Sequence, residues 1–258
     1  MKLIDTHAHL EQLDTLDSAM ERAHEAGIYA IMAMSVDLAS MQKTLVIAKR
    51  FTAPRIYPAL GVHPGMVKPE MFDESIQFIR DHIHEAKAIG ETGLDYWYKW
   101  VRSNKEERAK QQQYFEAHLD IAREFDLPIV IHSRGAWRDC LAMTKAAGIK
   151  KALFHWYSGP VDKLAEIIEA GYYVSTSLAL GSNYESQEAM KVAPLDRILI
   201  ETDSPVTYKA EDQIFKAEPR HVTLTLEYLA LLKDVELHQL AKTVNANATT
   251  FFGLDHEK

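Results

Sequence analysis

The chain has 258 residues, a formal net charge of −8 and 47% hydrophobic residues, which suffices for the core of one large domain or two small ones. The acidic balance excludes binding to nucleic acid through a broad basic surface. No apolar run approaches the ~20 residues that span a bilayer, and the first ten residues do not resemble a secretion signal. The single cysteine, Cys140, excludes an internal disulfide and is typical of a cytoplasmic protein.

Eight short apolar runs, separated by longer segments with helical patterns, follow one another along the chain. These runs predict strands at 3–4, 28–34, 56–60, 86–89, 128–131, 152–154, 172–174 and 197–200. Apolar residues at helical spacing predict a helix over 105–125, and a second stripe of this kind runs from Leu237 to Phe251. Because no linker rich in Gly, Ser or Pro interrupts the pattern, we expect one domain over residues 1–258.

Strands that alternate with helices predict a mostly parallel sheet of the α/β class, with the helices outside. The number of strands and the chain length favour a closed (β/α)8 TIM barrel over an open, doubly wound sheet. A dinucleotide-binding fold would also need a glycine-rich turn after the first strand, and residues 5–10, DTHAHL, supply none.

Histidines and carboxylates stand just after most of the predicted strands. They are His7 and His9 after the first, His63 after the third, Glu91 after the fourth, His132 after the fifth, His155 after the sixth and Asp203 after the last. Barrel enzymes carry their active sites at the carboxyl ends of the strands. The positions therefore predict one shared site on that face.

The types and spacing of these residues predict bound metal. Side chains two residues apart on an extended chain point the same way, so His7 and His9 can converge on one ion. Imidazole and carboxylate ligands suit Zn, Mn, Fe or Ni, and the lack of thiolates argues against a closed structural zinc site. Six ligands exceed the need of one tetrahedral ion, so we expect two ions that share a carboxylate and activate a water molecule. Asp203 is then the group to orient that water and accept its proton.

Other candidates have two open interpretations each. His63 either contacts the substrate or packs beside Pro64, and Arg134 either holds a phosphate oxygen or forms a surface ion pair. The segment 95–100, with Asp95, Tyr96, Trp97 and Trp100, is either a substrate-facing wall or a packed loop.

The remaining histidines and the cysteine have structural interpretations. His118 lies on the apolar stripe of its helix and is expected in the core. Cys140 is expected to be a small buried residue rather than a nucleophile. Five other histidines are expected on the surface: His24, His82, His84, His238 and His256.

Six motifs together resemble the TatD-type metal-dependent hydrolase (deoxyribonuclease) family of amidohydrolase-like barrels. They are DTHAHL, GVHP, IGETGLD, LPIVIHSR, HWYSG and ETDSP, in this order from Ile4 to about Pro219, with a weaker echo at Asn245 and Phe251. The resemblance implies a (β/α)8 barrel that hydrolyses phosphodiester bonds in DNA with Mg, Mn or Zn. It also implies one ion held by His7, His9, Glu91 and Asp203, and a second held by Glu91, His132 and His155.

The chain departs from the family pattern at two places. Family members commonly have Arg-Gly-Lys and then Asn-Glu-Pro after ETDSP, whereas residues 207–221 here read TYKAEDQIFKAEPRH. The Arg-Gly is absent and Ala217 replaces the Asn, so Lys209, Lys216 or Arg220 would have to compensate for the missing cation. The usual HCFSG is HWYSG here, which leaves His155 in place and puts Trp156 where the family has cysteine.

The sequence thus predicts a cytoplasmic, two-metal phosphoesterase that acts on DNA or on small phosphorylated molecules, without an obligate protein partner. One alternative is an amidohydrolase acting on an amide or lactone, because the same metal pair activates water for attack on a carbonyl. Another is a non-catalytic barrel that binds metal or nucleic acid. The complete set of six ligands argues against a non-catalytic metal-binding barrel, and the acidic net charge argues against a nucleic-acid-binding one.

Overall fold

The computed structural model of the chain describes residues 1–210 and 213–254. Its main feature is an eight-stranded parallel sheet in which each strand pairs with the next one along the chain. The strands are β1 (Leu3–Ala8), β2 (Ile28–Met34), β3 (Arg55–Leu60), β4 (Ala88–Gly93), β5 (Ile129–His132), β6 (Ala152–Phe154), β7 (Tyr173–Thr176) and β8 (Ile198–Ile200). An antiparallel hairpin of β9 (Thr207–Ala210) and β10 (Gln213–Lys216) follows.

Helices connect the strands on the outside of the sheet. They are α1 (Leu16–Glu25), α2 (Leu38–Arg50), α3 (Pro69–Asp81), α4 (Lys99–Arg102), α5 (Lys105–Glu124), α6 (Trp137–Ala146), α7 (Val161–Glu169), α8 (Tyr184–Val192), α9 (Val222–Lys233) and α10 (Leu237–Phe252). Short 3-10 helices lie at Leu10–Gln12, Ile83–Glu85, Leu178–Gly181, Leu195–Arg197 and Pro219–His221. No helix in the described part of the chain combines the length and apolar character that a membrane span needs.

The first and last strands meet and nearly close the sheet into a barrel. The Thr6 hydroxyl donates to the carbonyl of Ile200 at 2.8 Å, and Ala8 forms a parallel bridge with Ser204. The backbone N–H of His9 also donates to Ser204, at 2.8 Å. These contacts confirm the predicted TIM barrel.

Three strands extend further than the apolar runs predicted. His7 lies within β1, Glu91 within β4 and His132 at the last position of β5, whereas we expected all three after their strands. The correction has a simple cause: an apolar run ends at the first polar residue, but the strand continues while its backbone is paired. Register alternation then decides where these side chains point.

Alternation directs the site residues into the barrel. Val130, Leu153 and Leu199 belong to the apolar cluster on the inner face of the sheet. His132, His155 and Glu201 follow them by two residues each, so they lie on the same inner face, one step nearer the carboxyl ends of the strands. The interior is thus apolar towards the amino ends of the strands, the lower end of the barrel, and polar towards their carboxyl ends, the upper end.

The last helix closes the lower end of the barrel. Phe251, Phe252 and Leu254 pack in the same inner cluster as Ile4 and Met32. The side chain of Asn245 accepts a hydrogen bond from the N–H of Ile4 at 3.2 Å and donates to the carbonyl of Lys2 at 2.8 Å, which ties α10 to the start of β1. The helical stripe predicted at this end is confirmed.

Helix α5 also follows its prediction closely. The Asn104 side chain accepts hydrogen bonds from the N–H groups of Glu106 and Glu107 and so caps the amino-terminal turn, a contact typically worth about 1 kcal/mol. Phe115, Leu119 and Ala122 are buried against the barrel.

Candidate metal centre

Four donor atoms from three parts of the barrel converge at the carboxyl end of β1. The Nε2 atoms of His7 and His9 lie 3.3 Å apart, and each lies 3.4 Å from Oε2 of Glu91. Oδ1 of Asp203 lies 3.4 Å from Nε2 of His7 and 3.3 Å from Nε2 of His9. The structure thus brings together the four residues that the resemblance assigned to one ion.

The spacing of these atoms fits a metal ion better than it fits hydrogen bonds. Good N–H···O bonds measure about 2.7–3.2 Å, so five separations of 3.3–3.4 Å are uniformly long for them. Ligands about 2.0–2.1 Å from a tetrahedral zinc lie roughly 3.3–3.4 Å from one another. The donor set of two imidazoles and two carboxylates therefore has the shape and the chemistry of a divalent cation site.

A second group of donors lies on the other side of Glu91. Its Oε1 atom is 2.8 Å from Nδ1 of His132 and 2.8 Å from Nε2 of His155. His63 joins them, with its Nε2 atom 3.3 Å from Nδ1 of His132 and 3.6 Å from Oε1 of Glu91. The ligand atoms of His63, Glu91 and His132 lie within 4.8 Å of one another, so His63 belongs to the cluster as closely as the predicted ligands do.

Two carboxylates that the sequence argument did not assign hold the outer nitrogens of these histidines. Oε1 of Glu201 lies 3.3 Å from Nδ1 of His155, and the Ser175 hydroxyl donates to its Oε2 at 2.5 Å. Oδ2 of Asp95 lies 2.9 Å from Nε2 of His132. Such partners fix the orientation of a metal-binding histidine.

Signals for both carboxylates are present in the sequence. Glu201 follows β8 directly and falls two residues before Asp203, which puts it on the same face of the sheet. Asp95 lies in the IGETGLD motif, next to aromatic residues that by themselves indicate only a loop. The structure buries both side chains completely, which shows that they are part of the site's interior.

Buried hydrogen bonds fix the two segments that present the first donor group. Asp5 accepts from the N–H of His7 at 3.3 Å, from the N–H of Thr202 at 3.0 Å and from the Thr202 hydroxyl at 2.6 Å. Burial raises the pKa of Asp5 to about 8. Asp203 adopts a left-handed backbone, with φ 51°, and its N–H donates to the carbonyl of His7 at 2.9 Å.

The pKa values of the donor side chains are those of a site that binds positive charge. Burial raises the pKa of the Glu91 and Asp203 carboxyls, but the neighbouring histidines outweigh burial and hold both pKa values below the ordinary range. Burial lowers the pKa of His9, yet Asp203 and Glu91 raise it to about 10. Without ions the cluster therefore retains a proton on His9. A divalent cation supplies the same compensation and displaces that proton.

The two candidate donor groups open into one large pocket of about 1010 Å³. His9, His63, Glu91, His132, His155 and Asp203 all line it. Arg134 lines it as well, but its Nη2 atom lies 2.7 Å from Oδ2 of Asp95, so both interpretations of this arginine describe part of its environment. Trp97 and Tyr98 line the pocket while Trp100 does not, so the aromatic segment is partly a pocket wall.

Residues interpreted as structural lie where they were expected, apart from His256, which falls outside the described residues. His118 is fully buried, and so is Cys140, whose pKa burial raises. His24, His84 and His238 are exposed and His82 is half-buried.

The candidate compensating cations are engaged elsewhere or lie outside the pocket. Nζ of Lys216 is 2.8 Å from Oδ2 of Asp14, and Nε of Arg220 is 3.2 Å from Oε2 of Glu218. Lys209 is exposed on β9 and does not line the pocket. None of the three therefore replaces the missing arginine at the metal centre.

Sequence comparisons relate the chain to known hydrolases over nearly its whole length. Residues 4–253 match the family described as TatD related DNase. The human protein named deoxyribonuclease TATDN3 is 28% identical, with 97% of this chain and 94% of that protein covered. The uncharacterized metal-dependent hydrolase YabD of Bacillus subtilis is 30% identical, with 98% of this chain and 100% of that protein covered.

Solved structures agree in fold. YjjV, a TatD homologue from Escherichia coli, superposes with a TM-score of 0.88 at 22% identity and covers 98% of each chain. Dihydroorotase from Campylobacter jejuni superposes with a TM-score of 0.61 at 12% identity, over 100% of this chain and 84% of the other. The predicted resemblance is confirmed: the chain belongs to the TatD-related DNase family and is a metal-dependent hydrolase.

Proposed function

We propose that the chain is a two-metal phosphodiesterase in which Glu91 bridges the ions. His7, His9, Glu91 and Asp203 would hold the first ion, and Glu91, His132 and His155 would hold the second. The observation that carries the proposal is the division of one carboxylate between two donor groups. Oε2 of Glu91 faces His7 and His9, and Oε1 faces His132 and His155. His63 is an additional donor beside the second ion.

When bound, a pair of Zn, Mn or Mg ions would polarise a phosphate oxygen and lower the pKa of a water molecule towards neutrality. The protein's own contribution is to fix the donors and to accept a proton. The carboxylate of Asp203 stays ionised and faces the pocket, so it is the general base that orients the attacking water. Arg134 and His63 line the same pocket, so they are placed to contact a substrate beside the metal centre.

The substrates in this proposal are DNA or small phosphorylated molecules, and no protein partner is required. The name of the human relative supports DNA as the broad class. We place the protein in the cytoplasm, because its single cysteine is buried and leaves no pair for an internal disulfide.

A second candidate is hydrolysis of an amide or lactone. One observation favours it: among the described residues that line the pocket, Arg134 is the only lysine or arginine, and it is paired with Asp95. A neutral carbonyl substrate needs no further cation. A non-catalytic role is disfavoured by the convergence of all six predicted ligands.

Metal content and a substrate screen test these assignments. Elemental analysis after saturation with Mn or Zn should approach two ions per chain, and a plateau at one would contradict the bridging role of Glu91. The metal-loaded protein should hydrolyse phosphodiesters faster than phosphomonoesters or amides, with Asp203→Asn as the inactive control. Turnover of the amide alone would favour the second candidate.

A further inference from the structure

Trp156 forms part of the pocket wall, directly after His155. Its backbone is left-handed, with φ 41°, a conformation that is strained for a bulky residue. The N–H of Trp156 donates to the Ser175 hydroxyl at 3.0 Å, and its ring lies 5.7 Å from the ring of Tyr208. These contacts hold the indole at the pocket surface, at the position where the family commonly has a cysteine.

Trp97 adds a second aromatic surface at the mouth of the same pocket. Its side chain is 64% exposed although its N–H is fixed by a 2.9 Å hydrogen bond to Asp95. The indole lies against Gly135, where a Cβ atom would come within 2.3 Å of it. Gly135 thus permits the close approach that holds an otherwise exposed ring in place.

The charges around the pocket do not suit a long polyanion. Arg134 is the only lysine or arginine among the described lining residues, and Asp95 already neutralises it. Helix α8 places Glu185 and Glu188 on the lining as well. Proteins that hold extended nucleic acid use several cations along the backbone path, and each one adds to the salt dependence of binding.

We propose that the pocket selects a compact phosphodiester that carries a planar ring, stacked on Trp156, rather than an extended polynucleotide. The inference rests on the proposed function, because the metal centre has to hold the phosphate. A volume of about 1010 Å³ is at the upper end of the 300–1,000 Å³ typical of pockets for small ligands. Stacking supplies affinity for a ring without requiring positive charge, which matches this lining.

Three substrates test the proposal: a dinucleotide with one phosphodiester bond, the same dinucleotide with hydrogen in place of both bases, and a long single strand. We expect kcat/KM for the base-bearing dinucleotide to exceed that for the abasic one by about 5- to 150-fold, the range expected for one base stack. Per phosphodiester bond, the long strand should be no better than the dinucleotide. The KM of the dinucleotide should change little with salt.

The matched variants are Trp156→Asn and Trp100→Asn. Asparagine tolerates the left-handed backbone, so Trp156→Asn removes the ring without adding strain. It should abolish the preference for bases, whereas Trp100→Asn, outside the pocket lining, should keep it. Glu185→Gln with Glu188→Gln should improve the long strand more than the dinucleotide.

Binding of products separates this inference from the proposed function. Calorimetry on the metal-loaded protein should show tighter binding of thymidine monophosphate than of inorganic phosphate, and Trp156→Asn should remove that difference. Equal binding of the two, or faster cleavage of the long strand per bond, overturns the inference. If no diester is cleaved, the proposed function is overturned, and the calorimetric difference still decides for or against a ring-binding pocket.

Discussion

The two ends of the barrel are built from the same strands but bury side chains of opposite character. At the lower end, Ile4 of β1 and Leu199 of β8 pack with Phe251 in a cluster of hydrocarbon. At the upper end, His7 of β1 and Asp203 after β8 belong to a buried group of imidazole and carboxylate side chains. Barrels in general separate stability and catalysis in this way. The separation means that substitutions at the two ends should change different measurements.

Left-handed backbone occurs at both ends of the barrel, but among the described residues a bulky side chain adopts it only at the upper end. Trp156 has φ 41° there, beside His155, and Asp203 has φ 51°. At the lower end Asp126 has φ 53° just before β5, and aspartate tolerates this conformation better than tryptophan does. We therefore expect a conformational cost on the order of 1–3 kcal/mol at Trp156, which the rest of the barrel offsets.

The largest expected effect is at Asp203. Asp203→Asn tolerates the left-handed backbone and keeps one oxygen, but it removes the charge and the proton acceptor. Loss of a general base typically lowers the rate about 10²- to 10⁴-fold. We expect kcat at saturating metal to fall by that amount while the melting temperature of the metal-free protein stays close to wild type. A variant within threefold of wild type would contradict the role of Asp203.

The opposite result is expected at Phe251. Phe251→Ala leaves a cavity at the lower end and should lower the free energy of unfolding by about 3–5 kcal/mol. Folded enzyme should keep its kcat, because the donor atoms lie at the other end of the barrel. Chemical denaturation and steady-state kinetics on one preparation test this. Phe251→Leu, which keeps more of the volume, is the matched control and should lose less stability.

The fold could be predicted from sequence because barrel strands are short apolar runs with regular helices between them. The convergence of the six candidate ligands could be predicted because their residue types recur at one position relative to the strands. The pairing of Glu201 with His155 and of Asp95 with His132 could not. In the sequence, a carboxylate that binds an ion looks the same as one that orients a histidine ligand. The structure distinguishes these two roles, because it shows which ring nitrogen of the histidine faces each carboxylate.

The place of His63 in the cluster also could not be predicted from the sequence. The sequence left it between a substrate contact and a residue that packs beside Pro64. Its position depends on the loop after β3, where its N–H donates to the carbonyl of Val36 at 2.9 Å. The Nδ1 atom accepts from the N–H of Gly65 at 3.0 Å, which turns Nε2 towards Glu91. Loop hydrogen bonds of this kind have no periodic signal in the sequence.

A smaller effect should distinguish a ligand from the group that positions it. Glu201→Gln keeps the shape and can still accept from Ser175, but it removes the charge beside Nδ1 of His155. Loss of such a partner typically weakens metal binding about 10- to 100-fold. Competition with a chelator measures this directly, and raising the metal concentration should restore most of the activity. Glu116→Gln, exposed on α5, is the control. Unchanged metal affinity would contradict the positioning role.

The smallest effect concerns a histidine outside the metal centre. Nε2 of His118 accepts a hydrogen bond from the N–H of Val62 at 3.1 Å, and Nδ1 donates to the carbonyl of Tyr114 at 2.7 Å. Glutamine cannot make both contacts in the same geometry, so His118→Gln should lower the free energy of unfolding by about 1–3 kcal/mol at pH 7. The turnover of folded enzyme should change little, in contrast to Asp203→Asn.

The pH dependence of that difference tests whether His118 is neutral in the folded protein. Burial lowers the pKa of His118 to about 4, whereas an unfolded histidine titrates near 6.5. Between these values the unfolded chain binds more protons, so the wild type should lose on the order of 3 kcal/mol as the pH falls from 6.5 to 4. His118→Gln has no such group, and titration of the metal centre is common to both proteins and cancels. The wild type's advantage over the variant should therefore shrink through this window in metal-free denaturation experiments. An advantage that stays constant down to pH 4 would show that His118 is charged in the fold or not buried.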